Sequence, residues 1–163
     1  MSDIVTQEHI DIIYERYANM LYRIALSHLH SQSDAEDIVH DVFYKYLQKE
    51  YHFKDMNHEK AWFIRVCVNC CYDNIRKNKQ HEDYSDINLE NYAAQEVIKD
   101  ERYDEIMEVL DELDPKYKTV VILHYLEEMP INELAKTLNI TVSAVKMRLK
   151  RARKMVQDRV IKG

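Results

Sequence analysis

The chain has no glycine before its last residue, Gly163, and only two prolines, Pro115 and Pro130. Sheet proteins place glycine and proline in hairpins and tight turns, which need φ > 0 or a fixed φ. A chain of 163 residues without such breakers is expected to be all-α, folded as one domain or two small ones.

Its helices must then turn without glycine. The clearest case is PINELAKTLNITVSAVKMRLKRARKMV (130–156). Ile131, Leu134, Ala135 and Leu138 fall at i, i+3, i+4 and i+7, the spacing of one helical face. After Asn139, Ile140 and Thr141 comes a second stripe: Val142, Val145, Leu149, Ala152 and Val156. Two amphipathic helices joined this closely read as a helix-turn-helix. One residue of such a turn often takes φ > 0, and Asn139 is the most tolerant residue available.

At about 100° per residue, the face opposite the second stripe carries Ser143, Ala144, Met147, Lys150, Arg151 and Lys154. Arg148 lies at its margin, and Lys146 and Arg153 flank the stripe. Slim side chains early in a helix can meet base edges in a major groove, and long cations after them can reach phosphates. Basic helical faces are often merely solvated, so charge alone decides little. Charge together with the helix-turn spacing favours DNA binding.

The formal net charge of −6 argues against a nucleic-acid partner only when averaged over the chain. Residues 1–77 hold nine cations and twelve acids, residues 78–104 three and eight, and residues 105–163 eleven and nine. From Val142 onward, eight cations face a single acid, Asp158. The acidic excess is therefore in the middle. No apolar run is long enough to span a membrane, and the N-terminus lacks a basic segment followed by an apolar one. A cytoplasmic protein with no membrane insertion is expected.

In chain order, a first helix is predicted over 9–29, with Ile10, Ile13, Tyr14, Tyr17, Leu21, Ile24 and Ala25 on its stripe. Ser33 is a plausible N-cap for the next helix, with Glu36 as its capping-box partner. That helix, 34–48, has Ala35, Ile38, Val39, Val42, Phe43, Tyr46 and Leu47 as core and Asp34, Asp37, Asp41 and Lys45 outward. Acids in a first turn suit the helix dipole, which accounts for Asp34 and Glu36 but not for Asp41. Residues 49–60 read as a loop. A third helix, about 59–77, has Phe63, Val66, Cys67, Cys70 and Ile75 as core candidates. Trp62, Arg65, Asn69, Asp73 and Arg76 are candidates for an exposed face able to stack on and hydrogen-bond bases; the plainer alternative puts Trp62 in the core and leaves Arg65 a surface cation.

Cys67, Cys70 and Cys71 are too close in sequence for a disulfide framework, and no second pair completes four zinc ligands. They read as small buried hydrophobes, with no metal expected. Residues 78–92 lose periodicity and form an acidic linker. A further helix is predicted from Ala93 to about Glu112, using Val97, Ile98, Ile106 and Leu110, with Leu113 just beyond it. Asp114 then caps another helix with Pro115 at its first position, burying Val120, Val121, His124 and Tyr125, with Leu123 as an additional candidate.

Two helical modules, an acidic linker and a C-terminal helix-turn-helix resemble a bacterial RNA polymerase sigma factor of the extracytoplasmic-function group of the sigma-70 family. The resemblance covers nearly the whole chain. DAEDIVHDVFYKYL (34–47) is similar to the family's clamp-binding helix, and AWFIRVCVNCCYDNIRK (61–77) to its helix for the −10 element. LDPKYKTVVILHYLEEMPINELAKTLNITVSAVKMRLKRARKMV (113–156) is similar to its −35 module. Asn139 stands where the family usually has glycine, and Met147 where it often has a small polar residue.

The resemblance implies three domain assignments: region 2 over 1–77, a linker over 78–92 and region 4 over 93–163. It implies that Asp34, Asp37, Asp41 and Tyr44 dock on core RNA polymerase, whose clamp and flap regions are the partners. The loop 51–60, including Lys60, would act with Trp62, Arg65, Asn69, Asp73 and Arg76 at the −10 element. Thr141, Ser143, Ala144, Met147, Arg148 and Arg151 would meet the −35 element, with Lys146, Lys150, Arg153 and Lys154 near phosphates. Promoter DNA is the other partner, and an anti-sigma factor is an optional third. No cofactor is implied. No phosphate-cradling glycine loop exists to use ATP, so strand opening would be driven by binding.

Two other readings remain. A stand-alone helix-turn-helix regulator would bind duplex DNA without polymerase, usually as a dimer. An enzyme lacks support, since no nucleophile–base pairing or paired metal ligands occur and no catalytic residue can be named.

Overall fold

The computed structural model describes residues 7–48, 52–79 and 101–162. Most of the expected linker, the helix start expected at Ala93, and Val97 and Ile98 lie outside the described residues. The chain divides into two compact units, Met1–Ile87 and Asn88–Gly163. All regular elements among the described residues are helical. None of these helices is long and apolar enough to cross a membrane.

The first unit contains α1 (Gln7–Leu29), α2 (Gln32–Gln48) and α3 (Met56–Lys79), each packed on the other two. From α1, Ile13, Tyr17, Leu21, Ile24 and Ala25 enter the core, joined by Ala18 and Leu26. Tyr14, expected on the same stripe, is instead exposed. The helix ends at His30, which takes φ 55° and donates its amide to the Leu26 carbonyl at 2.8 Å.

That left-handed residue turns the chain at once, so α2 starts earlier than expected. Ser31 is the cap: its Oγ accepts the Asp34 amide at 3.2 Å, and its carbonyl accepts the Ala35 amide at 2.9 Å. Ser33 is already inside the first turn, so the Ser33–Glu36 capping box does not form. Ala35, Ile38, Val39, Val42, Phe43 and Tyr46 are buried, but Leu47 points outward.

On α3 the expected core residues Phe63, Cys67 and Cys70 are buried, whereas Val66 and Ile75 are only half-buried. Ile64, Val68, Cys71 and Trp62 are buried too. The apolar arc is wider than a single stripe because α3 packs against both α1 and α2. Phe63 is the hub of the unit. Its ring lies 4.6 Å from Tyr17, 5.0 Å from Trp62, 5.3 Å from Tyr46 and 5.4 Å from Phe43, centroid to centroid. These separations are in the favourable range for tilted and offset aromatic pairs.

The second unit contains α4 (Glu101–Asp111), α5 (Pro115–Val121), a π-helical segment (Ile122–Leu126), α6 (Ile131–Leu138) and α7 (Val142–Lys162). Asp114 caps α5 as expected: its side chain accepts the Lys116 amide at 3.1 Å, and Pro115 occupies the first turn. Lys118 is buried and is neutralised by Asp111 of α4. The π segment uses wider i→i+5 turns and so shifts the helical phase. Val120 and Leu123 are buried as expected and Ile122 is buried too, but Val121 and His124 are only half-buried and Tyr125 is exposed. The segment closes where the Met129 amide reaches the Leu123 carbonyl at 2.9 Å and His124 Nδ1 donates to the Met129 carbonyl at 2.9 Å.

Helix α6 has the expected bounds and α7 the expected start at Val142, though α7 runs past the expected stretch, which ended at Val156, to Lys162; Asn139 takes φ 58° and ψ 45° between them. Leu134, Ala135, Val145, Leu149 and Ala152 are buried, Ile131, Leu138 and Val156 half-buried, and Val142 exposed. Helices α4, α5 and α6 all pack against α7. Replacing Asn139 tests the turn. Asn139→Ala should lower stability by about 1 kcal/mol, the scale of a left-handed residue with a Cβ and no local hydrogen bond, whereas Asn139→Gly should leave it equal or higher. Denaturant melts of the three proteins compare them.

Candidate functional site

The α7 surface starts at its cap. Thr141 Oγ1 accepts the Ala144 amide at 3.0 Å, and the Thr141 carbonyl accepts the Val145 amide at 3.1 Å. Thr141 and Ser143 are exposed and Ala144 is half-buried, so the first turn presents small groups to solvent. Met147, Lys146, Lys150, Arg151, Arg153 and Lys154 are exposed, and Arg148 is half-buried at the margin. All ten residues predicted for this face therefore lie off the buried stripe. Two of the cations rest on tyrosines: Arg151 Nη1 donates to the Tyr117 hydroxyl and Arg153 Nη1 to the Tyr125 hydroxyl, each at 3.2 Å. Neither tyrosine stands out in the sequence, where the helical period puts Tyr125 in the core.

In the first unit, Asp37, Asp41 and Tyr44 are exposed at i, i+4 and i+7 of α2, and Asp34 is half-buried in its first turn. Beside them lies a groove of about 440 Å³ lined by Tyr14, His40, Asp41, Phe43, Tyr44 and Leu47. Tyr14 and Leu47 are expected stripe residues of α1 and α2 that the core leaves exposed. Their exposure puts apolar surface next to the acidic row.

The α3 face is more mixed. Asn69, Asp73 and Arg76 are exposed, and Arg65 is half-buried on the same line. Asp73 and Arg76 pair at 2.8 Å, so this cation already has a partner. Lys60 is half-buried near the other side of the helix. Trp62 does not belong to the exposed face: it is 4% exposed and packed edge-on against Phe63 at 90°. A bulky indole next to an aromatic hub gains more from burial than from standing in water. The ring that does reach the surface is Phe53, which is half-buried. It stacks on Tyr46 at 6.3 Å, lies 5.9 Å from Trp62 and meets His58 edge-on at 5.5 Å.

The beginning of α3 is held from several sides. Asp55 Oδ1 accepts the His58 amide at 2.8 Å, and His58 Nδ1 accepts the Lys54 amide at 3.2 Å. One turn on, Glu59 Oε1 accepts from Tyr17 at 2.6 Å and from Arg16 at 2.8 Å. Burial, and then the hydrogen bond to Glu59, push the Tyr17 phenol well above its ordinary range, so it remains a donor.

The three cysteines are free and buried. The hydrogen bond with Cys71, and then burial, raise Cys67 well above the usual thiol range, and Cys67 Sγ donates to the Leu21 carbonyl at 3.6 Å. Burial raises Cys70 despite the Lys45 ammonium 3.7 Å away. Cys67 and Cys70 therefore stay protonated, and all three cysteines act as core residues.

The place of Trp62 predicts a stability effect. Trp62→Ala should destabilise the first unit by about 3–5 kcal/mol, the cost of truncating a buried aromatic, as read from chemical denaturation. An indole that served only as an exposed base-stacking platform would give no such loss.

Two family models match this chain, one within each unit. A family model for sigma-70 region 2 matches residues 13–81, and one for sigma-70 region 4 matches residues 103–156. The chain is 32% identical over 143 residues to the RNA polymerase sigma factor SigV of Bacillus subtilis (strain 168), covering 86% of this chain and 84% of that protein. It is 31% identical over 154 residues to the ECF RNA polymerase sigma factor SigM of the same organism, covering 91% and 93%. Among solved structures, the sigma factor RpoE of Bartonella quintana, crystallised with the anti-sigma factor NepR, aligns with a TM-score of 0.68 at 20% identity, covering 91% of this chain and 94% of that one. That last likeness is one of fold.

Proposed function

Because the chain belongs to the sigma-70 family, as an RNA polymerase sigma factor of the extracytoplasmic-function group, we propose how its surfaces divide the work of transcription initiation. Region 2 occupies 1–77 and region 4 occupies 93–163, joined by the acidic linker 78–92. The α2 row of Asp34, Asp37, Asp41 and Tyr44 docks on core polymerase. The carboxylates steer encounter with a basic surface, and the neighbouring groove of Tyr14, Phe43 and Leu47 accepts apolar side chains. This takes place in the cytoplasm, where polymerase and promoter meet.

The α7 face reads the −35 element. Thr141, Ser143, Ala144, Met147, Arg148 and Arg151 approach base edges, and Lys146, Lys150, Arg153 and Lys154 approach phosphates. The observation that carries this is the separation on one helix of a buried Val145, Leu149 and Ala152 stripe from the exposed cations Lys146, Lys150, Arg151, Arg153 and Lys154, with Arg148 half-buried at the margin. The loop before α3, with Phe53, and Lys60 in the second turn of α3 act with Arg65, Asn69, Asp73 and Arg76 at the −10 element. Trp62 supports that surface from beneath. Captured bases leave the stack at a cost of a few kcal/mol each, which their binding pockets must offset.

A stand-alone regulator does not account for the chain, since its first half is region 2 of a sigma factor. Run-off transcription with core polymerase on promoter fragments tests the assignment as a whole: specific starts are expected only when the chain is added. Arg148→Ala should weaken −35 binding by about 1–3 kcal/mol and relax base preference at one position, as measured by holoenzyme binding to mutated promoter duplexes. Asp41→Lys should weaken competition for core polymerase about tenfold through the interfacial charge reversal. Because Asp41 is exposed, its far-ultraviolet circular dichroism should be unchanged.

A further inference from the structure

Two arginines of α7, Arg151 on the face opposite the buried stripe and Arg153 beside that stripe, do not project alone. Arg151 and Arg153 are two residues apart, which places them about 200° apart round the helix axis. A single neighbouring element nonetheless meets both. Tyr117, in the first turn of α5, offers its hydroxyl to Arg151, and Tyr125, in the π segment continuous with α5, offers its own to Arg153. Tyr125 reaches that place because the wider turns of Ile122–Leu126 shift it out of the core, leaving it 49% exposed. Short π segments of this kind recur at functional sites.

Exposed hydrogen bonds of this sort contribute little to folding. Their effect falls on the arginines, whose long side chains otherwise sample many rotamers in water. A hydroxyl that accepts one guanidinium N–H leaves four others to meet phosphate or a base edge. The contact with Arg151 also holds the Tyr117 phenol below its ordinary range, in keeping with a charge kept close to that oxygen.

We propose that Tyr117 and Tyr125 are positioning residues for promoter recognition: they hold Arg151 and Arg153 extended from two sides of α7, so that both guanidinium groups arrive at DNA already oriented. The inference rests on the reading of α7 as the −35 element's partner. Its ligand is the sugar–phosphate backbone and base edges of duplex DNA. The π segment is what lets one element reach both arginines, since without its phase shift Tyr125 would lie in the core.

The test is a pair of double-mutant cycles in full-length protein assembled with core polymerase, measuring affinity for a promoter duplex over a salt series. Tyr117→Phe and Tyr125→Phe each remove one oxygen and should give circular-dichroism melts that overlay the parent. Each should weaken DNA binding about two- to fivefold, the scale of one net hydrogen bond, without changing the salt slope. The effect of Tyr117→Phe should vanish when Arg151 is already alanine but persist when Arg153 is. Tyr125→Phe should show the converse. Arg153→Ala by itself should reduce the salt slope by about one, as for loss of a phosphate contact. If the arginine variants weaken binding but the phenylalanine variants do not, the positioning role is overturned and the α7 reading stands. A loss that persists undiminished in the partner's Arg→Ala background also overturns it, because the hydroxyl would then touch DNA directly. Silent arginine variants would overturn the α7 reading and this inference together.

Discussion

Val145, Leu149 and Ala152 form the stripe on which the second unit rests: α4, α5 and α6 all pack on α7. One helix therefore supplies both the centre of the core and the surface proposed to read DNA. Burying a leucine or valine side chain contributes about 1.5–3 kcal/mol, several times what a surface hydrogen bond does. The core therefore sets the direction of the cationic face, and the tyrosine–arginine pairs can only adjust single side chains on it. That order suits recognition, because a reading surface on a rigid element is oriented before the ligand arrives. Near the far end of the same helix Arg159 pairs with Glu112, an exposed contact that adds little to stability.

The first unit solves a related problem with aromatic rings. Phe63 draws Tyr17 from α1, Phe43 and Tyr46 from α2, and Trp62 from its own helix into one cluster. From that cluster two surfaces extend in different chemical directions. Tyr14 and Leu47 carry apolar character outward beside Asp41, and Phe53 carries it outward beside Lys54 and His58. The Tyr17 and Arg16 contacts to Glu59 tie the second of these to α1. The loop before α3 is thus held by both ring stacking and charge.

A chain without interior glycine must turn by other means. Among the described residues, His30, Glu128 and Asn139 adopt positive φ. For an ordinary residue the left-handed conformation costs about 1–2 kcal/mol, so each must be held in place by its surroundings. Each stands just ahead of a helix: His30 before α2, Glu128 before α6 and Asn139 before α7. The amide of Ile140 bonds back to the Ala135 carbonyl at 3.0 Å, closing the α6 turn with a residue that tolerates φ > 0.

The helix-turn-helix was legible because its signals are local. The 3.6-residue period, the lack of glycine and the opposition of apolar and cationic residues on α7 all act within a few turns of chain, and the Asp114–Pro115 cap is equally local. The resemblance to sigma factors rested on the same short stretches. What the sequence could not determine depended on neighbours distant along the chain. Trp62 and Tyr125 have the same amphiphilic character, yet the first is buried against Phe63 and the second is turned outward by a π segment. Tyr14 and Leu47 lie on correct helical stripes but extend past the edge of what α3 can cover. Ser31 caps α2 instead of Ser33 because His30 reverses the chain one step sooner. Periodicity states that a side has a partner; how wide that partner is, and where its edge falls, is decided only when the helices pack.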